Sequence, residues 1–484
     1  MSQVALLAEV AEEYGGKPAP VSVISRRFTL AEIMDLRSKM PNTAPGPNGL
    51  PYGFYKALAS RLDLLIKSGD SIASFWDVFT SLANEIKLNG SNCCNFKLAN
   101  LSLFFKKGDP TLVSNYCPIL SMNTDCKMYT NLVNGRISPW AVTKIHPDQA
   151  GFVPGRLITD HTRLASEVAH LSNSTGTNGY IISLDQAKAY DKTDIAWLLR
   201  VLSAMGIPED LISLIEDVTH NCRMRVRINS GLSSPFVLNV GLRQGDPLSL
   251  ILYDFSIEPL GMRMQKHLVG ISCCGLPLAR LIMYADDMNL FMSTSENFHL
   301  IWQVMADSSL AIGCRFNLDK TDVLVVGSLE HRSNSCHEEV TACFEGAYVL
   351  PADSPLRILG VWVNSPDRAT PRWKQIIAHV KKLVSQWTSI GASLLNWVVL
   401  AKALMMSRCY YLLDGNSILP HLLRKLNNII LRFVRGSYSS TPYRLLESPL
   451  SAGGLNCPSL ISRTLVYDAK FMSDLISGLA TTPW

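Results

Sequence analysis

No apolar run in this 484-residue chain reaches the ~18 residues that a bilayer-spanning helix needs. The nearest candidate, 276–292, is interrupted by Arg280, Asp286 and Asp287. The opening MSQVALLAEVAEEYGG lacks the basic-then-apolar order of a secretory signal. Both absences point to a soluble, intracellular protein, expected in the nucleus or the cytoplasm. Pro-rich linkers and internal repeats are missing too, which argues against a repeat array. Twelve cysteines are present, yet no CxxC occurs. Cys93-Cys94 and Cys273-Cys274 are adjacent pairs, and the densest metal-like cluster is His331, Cys336, His337 and Cys343. Its spacing fits no common structural zinc pattern, so a solvated loop and reduced thiols are expected. A net charge of +5 is only mildly basic, compatible with nucleic acid without singling it out.

What is there belongs to a globular protein. A composition of 47% hydrophobic and 18% charged residues excludes global disorder, and the length allows more than one domain. The spacing predicts a helical run over 62–88 and a strand over 96–105. The centre mixes strands and helices in an α/β pattern. Strands are expected at 179–185, 223–228 and 236–240, a helix at 195–205, and a helix capped by Asp246-Pro247 running to about 266. A hairpin is expected over 280–292 and one more short strand over 356–363. Beyond 371 the pattern turns helical, at 372–389, 391–413 and 419–435.

The chemistry-bearing residues are acidic. In LIMYADDMNLFM, Asp286 and Asp287 are adjacent and flanked by apolar, strand-forming residues. A hairpin here has its tip at 285–287, where Asp tolerates the left-handed conformations that tight turns demand. Two carboxylates about 4 Å apart repel by roughly 4 kcal/mol at an effective dielectric of 20. That spacing makes sense between hydrophobic strands if a cation collects there; an ordinary acidic turn is the plainer alternative for the pair alone. Asp185, however, ends a separate apolar strand, GYIISLD. Carboxylates on a strand end and a neighbouring hairpin can together hold two divalent ions, about 3.5–4 Å apart in two-metal sites that catalyse phosphoryl displacement. Magnesium suits oxygen ligands and leaves room for substrate phosphates.

Taken in order, the motifs from about 97 to 363 resemble the reverse transcriptase domain of non-LTR (LINE-type) retrotransposons. Tyr284-Ala285-Asp286-Asp287 matches the family's Tyr-Ala-Asp-Asp box, and Asp185 to Asp191 its preceding acidic strand. The resemblance implies a right-hand polymerase, α/β with an α+β palm, in which Asp185, Asp286 and Asp287 are catalytic and bind two Mg2+ ions. GLRQGDPLS, from Gly241 to Ser249, is similar to a family box whose Arg243, Gln244 and Gly245 meet nucleotide or template. Gly245, lacking a Cβ, would let the backbone approach a base pair; a turn and helix cap describes the same residues. Tyr190 matches an aromatic set against the nucleotide sugar, where it would collide with a 2′-hydroxyl, and is otherwise a core aromatic. Lys320 matches a lysine that protonates the leaving pyrophosphate or binds its charge, and is otherwise a surface lysine. Lys106, Lys107 and Arg156 resemble fingers contacts to triphosphate or template.

The implied domains are an N-terminal tail at 1–27, fingers and palm at 28–363 (core from about 90), a helical thumb at 364–440 and a C-terminal extension at 441–484. The implied reaction is RNA-directed DNA polymerisation, a nucleotidyl transfer adding dNTPs to a DNA primer on an RNA template. Because little precedes the fingers motifs, the chain is expected to extend a supplied primer without the endonuclease that such elements carry. Five positions depart from the family pattern: Asn48 for Asp, Cys117 for Arg, Leu120 for Ser, Leu250 for Pro and Trp397 for Arg. Each needs only one C-to-T transition, read on one strand or the other. They motivate the hypothesis that this copy has drifted under cytosine deamination, which a mix of transversions at those codons in sibling copies would contradict. Cys117 and the truncated architecture support a second reading, a truncated or decayed, non-catalytic nucleic-acid-binding remnant, which binding without magnesium-dependent primer extension would favour.

Overall fold

A computed structural model describes residues 2–16, 26–91, 93, 95–229, 231–273, 278–334, 337–364, 366–415, 418–436, 441–457 and 459–477. Cys94, Ser230, Cys274 and Cys336 lie outside the described residues. Backbone contacts divide the chain into two units, one of 1–155, 186–266 and 301–316, the other of 156–185, 267–300 and 317–484. Among the described residues no helix is long and apolar enough to cross a membrane.

In the first unit, the strand Leu98–Phe105 lies between two neighbours. Tyr116–Met122 pairs antiparallel with it, Ala99 opposite Met122, and Arg223–Ile228 pairs parallel, Leu98 opposite Arg223. The helical run expected over 62–88 is two helices, Tyr52–Lys67 and Phe75–Asn89. Gly69, at φ +100°, breaks it in a conformation that a side chain would resist. Residues read as a tail include a helix, Gln3–Tyr14, capped by Ser2 and burying Leu6 and Val10. The helix Pro247–His267 begins as expected, with Asp246 Oδ1 accepting the Leu248 N–H at 3.1 Å.

In the second unit, five strands run in the order Tyr348–Val349, Asp322–Val326, Gly179–Asp185, Asp287–Ser293, Leu281–Tyr284. Alternation sends Ile181, Ile282, Phe291 and Leu324 to one face, where they pack on Leu164, Ala165 and Val168 of the helix Ile158–Thr175. The stretch expected as one strand over 356–363 is a hairpin, Leu356–Ile358 against Val361–Val363. Its two tip residues, Leu359 and Gly360, have φ +48° and +86°. A leucine in that region costs roughly 1–2 kcal/mol, so sequence gave no turn signal there. The helices expected beyond 371 are present as Pro366–Trp387, a run from Leu394 to Gly415 and Pro420–Arg435. The middle run passes through a π-helical stretch, Ala401–Met406. Trp397 is buried in the helices' common core, edge-on to Phe433 at 4.9 Å, so this departure from the family pattern is well packed. His331 and His337 do not lie on a solvated loop: both rings pack on Tyr180, whose hydroxyl is 3.2 Å from His337 Nδ1.

Candidate active site

Asp185 is the last residue of its strand, and the register sets it directly opposite Asp287 on the next. Directly opposed residues of an antiparallel pair project from the same face, with Cβ atoms about 4.5–5.5 Å apart. At about 5 Å, two carboxylates repel by roughly 1–3 kcal/mol between dielectrics of 80 and 20. Tyr284 pairs with Asp287 on the other side, which leaves Ala285 and Asp286 as the two-residue hairpin tip. The left-handed residue in that tip is Ala285, at φ +52°, and not an aspartate as the turn chemistry suggested. Opposing the repulsion, Lys320 Nζ donates to Asp185 Oδ2 at 3.1 Å. Lys320 ends a short 3-10 turn, Leu318–Lys320, held by the Asn317 N–H on the Asp185 carbonyl at 2.8 Å. Asp185, Asp286, Asp287 and Lys320 are thus neighbours at one end of the sheet.

Beside them is an open recess of about 380 Å³, lined by Ile158, Ser183, Tyr284, Asp287, Asn289, Arg357, Leu359 and Gly360. Asn289 is 2% exposed and its Oδ1 has no hydrogen-bond partner among the described residues. Asn289 and Arg357 were missed from sequence. A signal for Asn289 existed: Asp287 and Asn289 precede the apolar run 290–292 of their strand and stand two apart, therefore on one face. Tyr411, from the helix Ser407–Gly415, donates its hydroxyl to the Leu359 carbonyl. Burial pushes its phenol up to about 12, with Tyr284 and Asp287 adding to the shift and Arg357 opposing it. Beneath the hairpin, His161 is completely buried and its imidazole is pushed down to about 3 by burial, with the Arg156 charge acting the same way and a backbone hydrogen bond at Met283 opposing them.

The other expected residues belong to the first unit, Arg156 excepted. Tyr190, half-buried, stacks on Tyr253 with ring centres 4.6 Å apart. Its helix supports the glycine box, because the Leu242 N–H donates to the Tyr190 carbonyl at 2.8 Å. Gln244 is partly exposed; its Nε2 reaches Asp191 at 3.3 Å and its Oε1 faces the Cys117 thiol at 3.9 Å. One expectation needs correction. Arg243 is 3% exposed, ion-paired to Asp246 at 2.5 Å and bonded to the Val218 carbonyl, so its charge serves the turn and has no open path to substrate. Gly245 permits a close backbone approach: the Leu120 carbonyl lies 2.7 Å from where its Cβ would stand, at φ +115°. Lys106 and Lys107 are exposed, following the strand Leu98–Phe105.

Can these residues take a divalent metal? The donor chemistry fits, since Asp185 and Asp287 offer hard oxygens from one face with Asp286 adjacent. Among the described residues no three His, Cys, Asp or Glu side chains converge closely enough to hold an ion alone. Substrate phosphates and water would have to complete the shell, as magnesium sites commonly require.

A family model for reverse transcriptase (RNA-dependent DNA polymerase) matches residues 105–363, more than half of the chain. The chain belongs to the reverse transcriptase family. The expected likeness to LINE-type members is borne out by relatives from transposable elements. The Transposon TX1 uncharacterized 149 kDa protein of Xenopus laevis is 30% identical over 310 residues, 63% of this chain and 22% of that protein. The Pol polyprotein from the type-2 retrotransposable element R2DM of Drosophila melanogaster is 23% identical over 321 residues, 65% of this chain and 30% of that protein. This reverse transcriptase chain therefore spans under a third of the length of either. A solved apo telomerase from Candida Tropicalis aligns with a TM-score of 0.35 and 13% identity, over 52% of this chain and 56% of that one.

Proposed function

We propose that this chain is the polymerase part of a LINE-type retrotransposon protein, an RNA-directed DNA polymerase adding dNTPs to a DNA primer on an RNA template. The observation that carries the reading is the register of Asp185 against Asp287, with Asp286 adjacent, beside a recess of nucleotide size. The three carboxylates would hold two Mg2+ ions, which when bound stabilise the attacking and leaving oxygens of an in-line displacement. The chain's own groups divide the remaining tasks. Lys320, already against Asp185, supplies positive charge or a proton to the leaving pyrophosphate. The recess receives the primer's terminal nucleotide: Arg357 meets a backbone phosphate, while Ser183 and Asn289 offer hydrogen bonds. Tyr190, its ring backed by Tyr253, selects against a 2′-hydroxyl, and Gln244 bonds template or nucleotide. Lys106, Lys107 and Arg156 attract triphosphate or template, and Lys374, Lys381, Lys382 and Arg408 of the thumb helices follow duplex phosphates.

Primer extension from oligo(dT) on poly(rA) is the test. The wild-type chain extends in Mg2+, and Asp286→Asn or Asp287→Asn lowers the rate by at least about 100-fold. Preference for NTPs over dNTPs would remove the role given to Tyr190. Cys117 favours a second reading, the non-catalytic remnant, because a thiol facing Gln244 replaces the cation common in the family. Duplex binding without Mg2+-dependent extension would select it.

A further inference from the structure

The hairpin that borders the recess has a tip that its own sequence does not favour. With Ile358 paired to Val361, only Leu359 and Gly360 remain to turn the chain, both at positive φ. Two-residue turns of this kind normally use Asn, Asp or Gly at the first position, where a Cβ is otherwise crowded. A leucine persists there only if something outside the hairpin holds it. Tyr411 is that contact: its hydroxyl donates to the Leu359 carbonyl, and its Cε1 is 3.7 Å from where a Cβ on Gly360 would stand. The helix bearing Tyr411 is itself fixed closely. A Cβ on Gly415 would come 2.7 Å from Thr162 Oγ1 and 2.9 Å from Val361 Cγ2, so helix, hairpin and the helix Ile158–Thr175 approach without slack. The chain therefore runs from a clamped helix, through one phenol, to the tip lining the recess beside Asp287.

We propose that Tyr411 is a positioning residue for the primer's 3′ end: it holds the Leu359–Gly360 tip where the recess can seat the terminal nucleotide next to Asp287. This rests on the recess being the primer seat, as in the function proposed above. Tyr411 touches no substrate; it acts through the backbone of Leu359. The consequence is selective. Duplex affinity, spread over many phosphate contacts, does not depend on this tip, whereas occupancy of the recess by the primer terminus does.

The test uses the full chain and a primer–template with 2-aminopurine at the primer's 3′ terminus. Fluorescence anisotropy reads duplex affinity, and 2-aminopurine emission reads seating of the end, with no turnover required. Tyr411→Phe, which removes only the hydroxyl, lowers seating at least 5-fold, changes duplex affinity less than 2-fold and leaves the melting temperature nearly unmoved. Adding Leu359→Gly, which relieves the conformational demand, restores most of the seating. Unchanged seating in Tyr411→Phe, or parallel loss of seating and duplex affinity, overturns the assignment even where the wild-type chain extends primers normally. A wild-type chain that binds duplex yet never seats its 3′ end overturns both this assignment and the primer-seat reading.

Discussion

Replacing Lys320 by methionine separates two effects of its ammonium group. The pair Lys320–Asp185 is 3.1 Å long with side chains 63% and 42% exposed, so water screens it heavily. Such pairs contribute about 0.2–1 kcal/mol, and the folded state should lose no more than that. A divalent cation at Asp185 must compete with the ammonium. Removing it should tighten nucleotide-free Mn2+ binding by the same energy, about 1.4–5-fold. Turnover should move the other way. A charge-assisted bond of about 1.5–3 kcal/mol made only to the leaving pyrophosphate corresponds to about 10–150-fold in rate. Titrating Mn2+ by electron paramagnetic resonance and measuring single-turnover nucleotide addition reads both. Tighter metal binding with slower chemistry is the expected pair of results. Weaker metal binding, or unchanged chemistry, would refute the reasoning.

Cys117→Arg returns a cation beside Gln244 and Asp191, and should raise kcat/KM for dNTP about 10–100-fold; no gain would mean the position contributes nothing to nucleotide addition. Gly245→Ala forces a Cβ to within 2.7 Å of the Leu120 carbonyl at φ +115°, and urea unfolding should register a loss of about 2–3 kcal/mol. A loss below about 0.5 kcal/mol would show that the turn relaxes freely. For buried His161 the folded pKa, down to about 3, lies below the unfolded value near 6.5. The unfolded chain then binds the extra proton, so stability is full above pH 6.5 and is lost as pH falls, by about 1.4 kcal/mol per pH unit towards pH 3. His161→Gln should flatten that slope between pH 6.5 and 5; an unaltered slope would assign it elsewhere.

Much of this was legible because the acidic strands carry a simple period. Gly179–Asp185 is an apolar run ended by a carboxylate, and its limits agree with the sequence reading to the residue. The hairpin Leu281–Tyr284 and Asp287–Ser293 was equally visible from apolar runs flanking the aspartates. What sequence concealed depended on contacts distant in the chain. The Leu359–Gly360 tip looks like strand because its stabilising partner, Tyr411, lies 52 residues away. In the sequence Arg243 resembles a substrate contact because charge alone is visible there. Its partner Asp246, three residues on, was the available sign of a buried pair. Arg357 is one exposed residue in a short strand, with nothing local to distinguish it from ordinary surface.

The central claim concerns where divalent ions collect, and diffraction from crystals soaked in Mn2+ addresses it directly. Anomalous density should appear at two positions between Asp185 and the Asp286–Asp287 hairpin once a primer–template and a non-hydrolysable dNTP are bound. Density elsewhere, or none at these carboxylates with nucleotide present, would contradict the account.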